Sequence, residues 1–236
     1  MRNYFTFGGV DCRTYGVFIT GTGTYNAPER DYETIAVPGR DGAVLGAEKR
    51  LQNIELVYPA FISSSFKTNV AGFKAAMLSK IGYQRLTDTY HPDEFRMAFY
   101  KGGMEVEART QHDAGEFDVE FECKPQRYLT SGESVTTLTA AGTISNPTSF
   151  DARPLIKVTG YGALTVNSDV ITIASSSNTF CVIDSELMDC YKNTVNMNGL
   201  VTFSTNDFPV LVPGSNSISF ANTITKVEIT PRWWRV

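Results

Sequence analysis

Long apolar runs are missing from this sequence: nowhere do about 18 consecutive apolar residues occur, which argues against a membrane-spanning helix. The opening "MRNYFTFGGVD" holds no apolar run of signal-peptide length, so the expected site of synthesis is the cytoplasm. Basic residues are in deficit, with 21 Lys and Arg against 25 Asp and Glu and a formal net charge of −4. Such a chain has no surplus of cations with which to neutralise a phosphate backbone, and gripping nucleic acid is not expected of it. Cysteine is sparse and unpatterned. Cys12, Cys123, Cys181 and Cys190 show no CxxC spacing and the two histidines lie far apart, so neither a zinc centre nor a redox motif is expected. All four thiols read as reduced, with Cys123 a core residue, and no metal or cofactor is expected.

What is present is apolar material in short portions. The 236 residues are 42% hydrophobic and 12% aromatic, enough for one large β domain or two ordinary ones. "QNIELVY" places Ile54, Leu56 and Tyr58 on one side of a strand. "EFDVEFEC" places Phe117, Val119, Phe121 and Cys123 on one side and Glu116, Asp118, Glu120 and Glu122 on the other. "SSSFKTNVAGFKAAMLSKIG" changes the period. Phe66, Val70, Phe73, Met77 and Ile81 recur at three or four residues, which predicts a helix near 65–81 with a serine N-cap and Gly82 as its stop.

After "CKPQRYL" the composition turns to Ser, Thr and Gly, which sets a domain boundary between residues 130 and 131. Beyond it come "PLIKVTG", "ALTVNS", "DVITIAS", "TFCVIDSE", "LVTFST", "SNSISF" and "KVEITPRWW", short strands separated by turn formers. Regular short strands without helices predict an antiparallel sandwich over 131–236. "NSDV" and "MNGL" read as tight turns, Asn198-Gly199 being the stronger hairpin signal.

Few motifs carry chemistry. "VPGRDGAVLG", Val37 to Gly46, has glycines enough to suggest a phosphate loop. It lacks the Lys-Ser or Lys-Thr of a P-loop, the GxGxxG spacing of a dinucleotide loop and the helix that both need. It reads instead as turns at Pro38-Gly39 and Asp41-Gly42. Asp184 and Glu186 in "VIDSE" are spaced to share a strand face as an acid-base pair would, although a solvated strand end is the commoner origin of such a pair. His91 and His112 sit among turn formers with no third ligand and no nucleophile motif. Adjacent Trp233 and Trp234 on a strand must point to opposite faces, so one enters the core and the other needs a neighbouring domain or subunit.

Several segments, in their order along the chain, resemble the distal tail protein (Dit) family of long, non-contractile-tailed bacteriophages. They are "FTFGGVDCRTYGVFITG", "ETIAVPGRDGAVL", "NIELVYPAFI", "CKPQRYL", "PLIKVTGYG", "VIDSE", "VPGSNSISF" and "ITPRWWRV". The resemblance implies a structural virion protein at the distal end of the tail, with no enzymatic activity. Its N-terminal β domain with one helix, 1–130, would form a homo-hexameric ring. Its C-terminal galectin-like antiparallel β-sandwich, 131–236, would project outward. The ring would join the tail-tube protein to the tail-associated hub protein (Tal), with receptor-binding or peripheral baseplate proteins as further partners. On this reading Arg40 and Asp41 are exposed at a ring or tube contact, and Trp233 and Trp234 are interface anchors. Glu116, Asp118, Glu120 and Glu122 line the lumen, where like charge lets genomic DNA pass without binding. The alternative function is a carbohydrate-binding module that contacts the host cell wall.

Overall fold

The computed structural model describes residues 2–46, 50–109 and 113–236; His112 lies outside the described residues. The chain divides into two compact units, one running to Arg127 and including Val236, the other comprising Tyr128–Arg235. The chain is mainly β, with one α-helix among the described residues.

The first unit is built on a sheet whose strands follow the order Val10–Asp11, Phe5–Phe7, Gln84–Asp88, Glu94–Tyr100, Ala114–Leu129, Ile54–Ile62, Val17–Ile19. Its centre is the antiparallel pair in which Phe117 faces Ala60, Val119 faces Tyr58 and Phe121 faces Leu56. Strict alternation sends these residues inward, where they are buried with Phe5, Phe7, Ile62 and Cys123. The rings interlock, with Phe5 stacked on Tyr58 at 5.5 Å and edge-on to Phe121 at 5.4 Å.

The helix, Phe66–Leu78, covers one end of this face with Phe73 and Met77. Its ends differ from the sequence expectation. Ser65 adopts a left-handed conformation and makes no side-chain cap. The Phe66 N–H instead donates to Asp113 Oδ1 at 3.1 Å, a carboxylate at the positive end of the helix. The helix stops before Ile81, which is 88% exposed, so that residue is no part of the apolar stripe.

Between Ile19 and Ile54 the first unit extends an arm. Thr34–Ala36 and Ala43–Leu45 pair as an antiparallel hairpin, and the ladder continues toward the sheet through Asp31 N–H to the Arg50 carbonyl and Gln52 N–H to the Glu29 carbonyl. None of residues 20–46 is buried.

The second unit is a sandwich of two antiparallel sheets. One orders Thr136–Leu138, Ile224–Thr230, Leu155–Gly160, Phe180–Asp184, Asp189–Lys192 and Val195–Asn196; the other orders Gly142–Asn146, Gly214–Phe220, Gly162–Val166, Asp169–Ile173 and Val201–Phe203. Ile156, Val158, Ile183 and Val227 of the first sheet share a core with Leu164, Val166, Ile171 and Ile218 of the second. Asn167, at φ 56°, occupies a two-residue turn between Val166 and Asp169, as "NSDV" predicts. "MNGL" forms no hairpin. Asn198–Leu200 is a short 3-10 turn, and the Asn198 side chain accepts the Cys190 N–H at 2.7 Å. The Ser/Thr-rich stretch after Leu129 is ordered too, and contributes one strand to each sheet.

Candidate functional site

The sequence motif "VPGRDGAVLG" is the tip and returning strand of the arm. The Arg40 N–H donates to the Val37 carbonyl at 3.2 Å, closing a turn in which Gly39 and Gly42 take φ of 79° and 80°. Arg40 and Asp41 are exposed at the tip, and Ile35, Val37, Val44 and Leu45 stand exposed along the hairpin below it. A two-stranded ribbon with no buried residue cannot owe its order to a core of its own. Its apolar side chains form an exposed surface along the ribbon.

The acidic row occupies the outer face of Ala114–Leu129, opposite the core. Glu116, Asp118 and Glu120 are exposed beside Phe61, Pro59 and Val57 of the neighbouring strand. They edge an open groove of about 670 Å3, to which Glu105 and Glu107 add their carboxylates. Those two residues carried no strand pattern in the sequence and were not foreseen. Glu122 departs from the row. Its carboxylate takes the Lys101 ammonium at 2.6 Å and the Asn53 amide at 2.8 Å, and these two partners lower its pKa.

The tryptophans are accounted for within their own unit. Trp233 is 6% exposed and belongs to the sandwich core. Trp234 points the other way, as adjacent strand residues must, but stacks on Phe150 at 4.4 Å and donates its indole N–H to the Asp151 carbonyl at 3.0 Å. Trp233 is thus taken up by the core of its own unit, and Trp234, half-buried, has Phe150 and Asp151 as neighbours.

Asp184 and Glu186 do not form an acid-base pair. Asp184 is 2% exposed and takes both ends of the Arg232 guanidinium, at 2.6 and 3.0 Å, while accepting the backbone N–H groups of Glu186 and Leu187. Burial alone would raise its pKa; Arg232 and the two amides outweigh burial and hold it below the ordinary value. Glu186 accepts the Tyr128 hydroxyl at 3.1 Å and lies 3.7 Å from Arg232. This is a structural lock.

His91 is engaged as well, its Nδ1 lying 3.1 Å from Asp88 Oδ1. The cysteines are all free and buried, and burial pushes the Cys123 thiol up to about 12. Among the described residues no three His, Cys, Asp or Glu side chains converge as a metal site, and no helix is long and apolar enough to cross a membrane.

No protein-family model and no curated protein sequence matches the chain. Solved structures do. The crystal structure of the SPP1 Dit protein, described as a paradigm of the hub adsorption apparatus in phages infecting Gram-positive bacteria, superposes with a TM-score of 0.70 at 13% identity, covering 97% of this chain and 98% of that one. A chain of the phage P2 baseplate in its activated conformation with Ca matches with a TM-score of 0.57 at 10% identity, over 97% of both chains. The same baseplate with Sr gives 0.54 at the same identity and coverage. With both of its units matched end to end, the chain has the fold of a phage Dit protein.

Proposed function

We propose that this protein is a structural component of a phage tail tip, a hub of the Dit type that works through interfaces and carries out no catalysis. The observation that carries the reading is the fold match, which spans 97% of this chain and 98% of the SPP1 protein. The arm supports it, because an unburied ribbon bearing Ile35, Val44 and Leu45 suits a contact between copies better than a free monomer. Six copies would close into a ring by a head-to-tail interface, with the tail-tube protein on one side and the Tal hub on the other. Arg40 and Asp41 would meet the next subunit or the tube. Receptor-binding or peripheral proteins would attach to the outward sandwich, in the virion and after synthesis in the host cytoplasm.

Glu116, Asp118 and Glu120, joined by Glu105 and Glu107, would line the lumen. A row of like-signed carboxylates repels a passing polyanion, so DNA slides without sticking. The paired Glu122 is left out of this role.

Replacing Arg40 and Asp41 together by alanine tests the contact. The expected result is a folded protein with the wild-type melting temperature that no longer assembles into rings or infectious particles. Unimpaired assembly would remove these two residues from the interface.

A further inference from the structure

The inner face of the first sheet changes character along its length. Where Phe73 and Phe117 pack it is apolar, but at the other end it carries Glu94 at 4% exposure, Arg96 at 7% and Arg127 at 8%. Burying ions costs several kcal/mol each before pairing, and well-packed apolar residues often hold a fold equally well. Charge kept in such a place calls for a reason beyond stability.

The groups are tightly arranged. Arg127 Nε lies 3.2 Å from Glu94 Oε2. The Tyr58 hydroxyl donates to Asp88 Oδ2 at 2.5 Å, and Asp88 Oδ1 accepts the backbone N–H groups of Tyr90 and His91. The terminal nitrogens of Arg96 make no hydrogen bond to any described residue, and burial lowers its pKa. A cavity of about 10 Å3 lies among these side chains.

The root of the arm rests on this cluster. Arg127 Nη2 donates to the Thr24 carbonyl at 3.3 Å. The Tyr25 ring lies edge-on to His91 at 5.2 Å and 6.0 Å from the Arg127 guanidinium. Gly23, at φ 84°, passes so close to Tyr90 that a Cβ would sit 3.1 Å from it. Tyr25 itself is 74% exposed, so burial contributes little to these contacts and their directions matter more. One further tie, Asn26 Nδ2 to the Glu55 carbonyl at 2.9 Å, follows before the hairpin runs free of the core.

We infer that the buried charge cluster is a mount for the arm, with Arg127 and His91 as positioning residues that fix the direction in which the ribbon leaves the sheet. The inference rests on the reading of the arm as an assembly element and adds how an element without a core of its own is aimed. A planar guanidinium paired with a buried carboxylate has few orientations, so its Nη2 group is a fixed donor for the Thr24 carbonyl.

The test is a distance distribution between spin labels on the unassembled full chain, with Ala43→Cys on the arm and Lys67→Cys on the helix; the native thiols are buried and do not label. A single narrow distribution is expected, which Arg127→Lys broadens at least twofold, because lysine keeps the charge toward Glu94 and loses the planar fork. Should Arg127→Lys fail to fold, Tyr25→Ala at the exposed root carries the test with the same expectation. A broad distribution in the parent, or an unchanged width in the folded variant, overturns the mount. Because the measurement needs no ring, it succeeds or fails apart from the proposed function.

Discussion

Asp184 looked like half of a catalytic pair because a two-residue spacing in a strand puts side chains on one face. That rule ends where the strand ends, and Phe180–Asp184 ends at Asp184 itself, so Ser185 and Glu186 already belong to a turn. Its partner Arg232 lies 48 residues away and at φ 59°, beyond any local pattern. Asp184→Asn removes one partner of a buried ion pair and is expected to lower stability by about 3 kcal/mol, read as a fall in the midpoint of denaturant unfolding. The same group sets a pH dependence. Its folded pKa lies below the ordinary 3.8, so its contribution is complete above that value and is lost as pH falls through the lowered one. Acid unfolding of the parent should therefore steepen below about pH 4, and the Asp184→Asn variant should lack that component.

At the scale of elements, alternation and helical period were legible where one face meets a core. Leu56, Tyr58, Phe117, Val119 and Cys123 are all buried, as their spacing predicts. The strands Thr136–Leu138 and Gly142–Asn146 were not legible, because their register comes from partners. Thr137 faces Glu228, and Ile144 faces the buried Asn216. Asn146 is buried too, its amide donating to the carbonyls of Phe150 and Leu211, a polar core contact with no signature in the sequence. Gly160 marks a register shift at the end of Leu155–Gly160, at φ 111° and against the Thr223 carbonyl, where a Cβ has no room. Gly160→Ala should destabilise the sandwich by about 2 kcal/mol or more, measured as a lower melting temperature. The arm was legible as a turn, but its length was not, since exposed apolar residues on a ribbon look like any strand. Deleting residues 34–45 and joining the ends by a short Gly-Ser turn should leave the melting temperature within about 2 °C, because no buried side chain is lost. Ring formation should disappear in the same variant.

For the whole molecule, the composition excluded little beyond a membrane helix and a basic nucleic-acid surface, and the order of short segments carried the resemblance that the fold match supports. The acidic groove follows from the same charge balance. Replacing Glu116, Asp118 and Glu120 together by lysine is expected to permit assembly and slow DNA ejection, read as the rate of dye uptake by released genome. Normal ejection from such particles would take the groove out of the lumen. The most direct test of the central claim is electron microscopy of the purified full-length protein, alone and with its tail-tube and tail-tip neighbours. The account predicts closed sixfold rings with the arm at each boundary between subunits, whereas a protein that stays monomeric in the presence of both neighbours would contradict it.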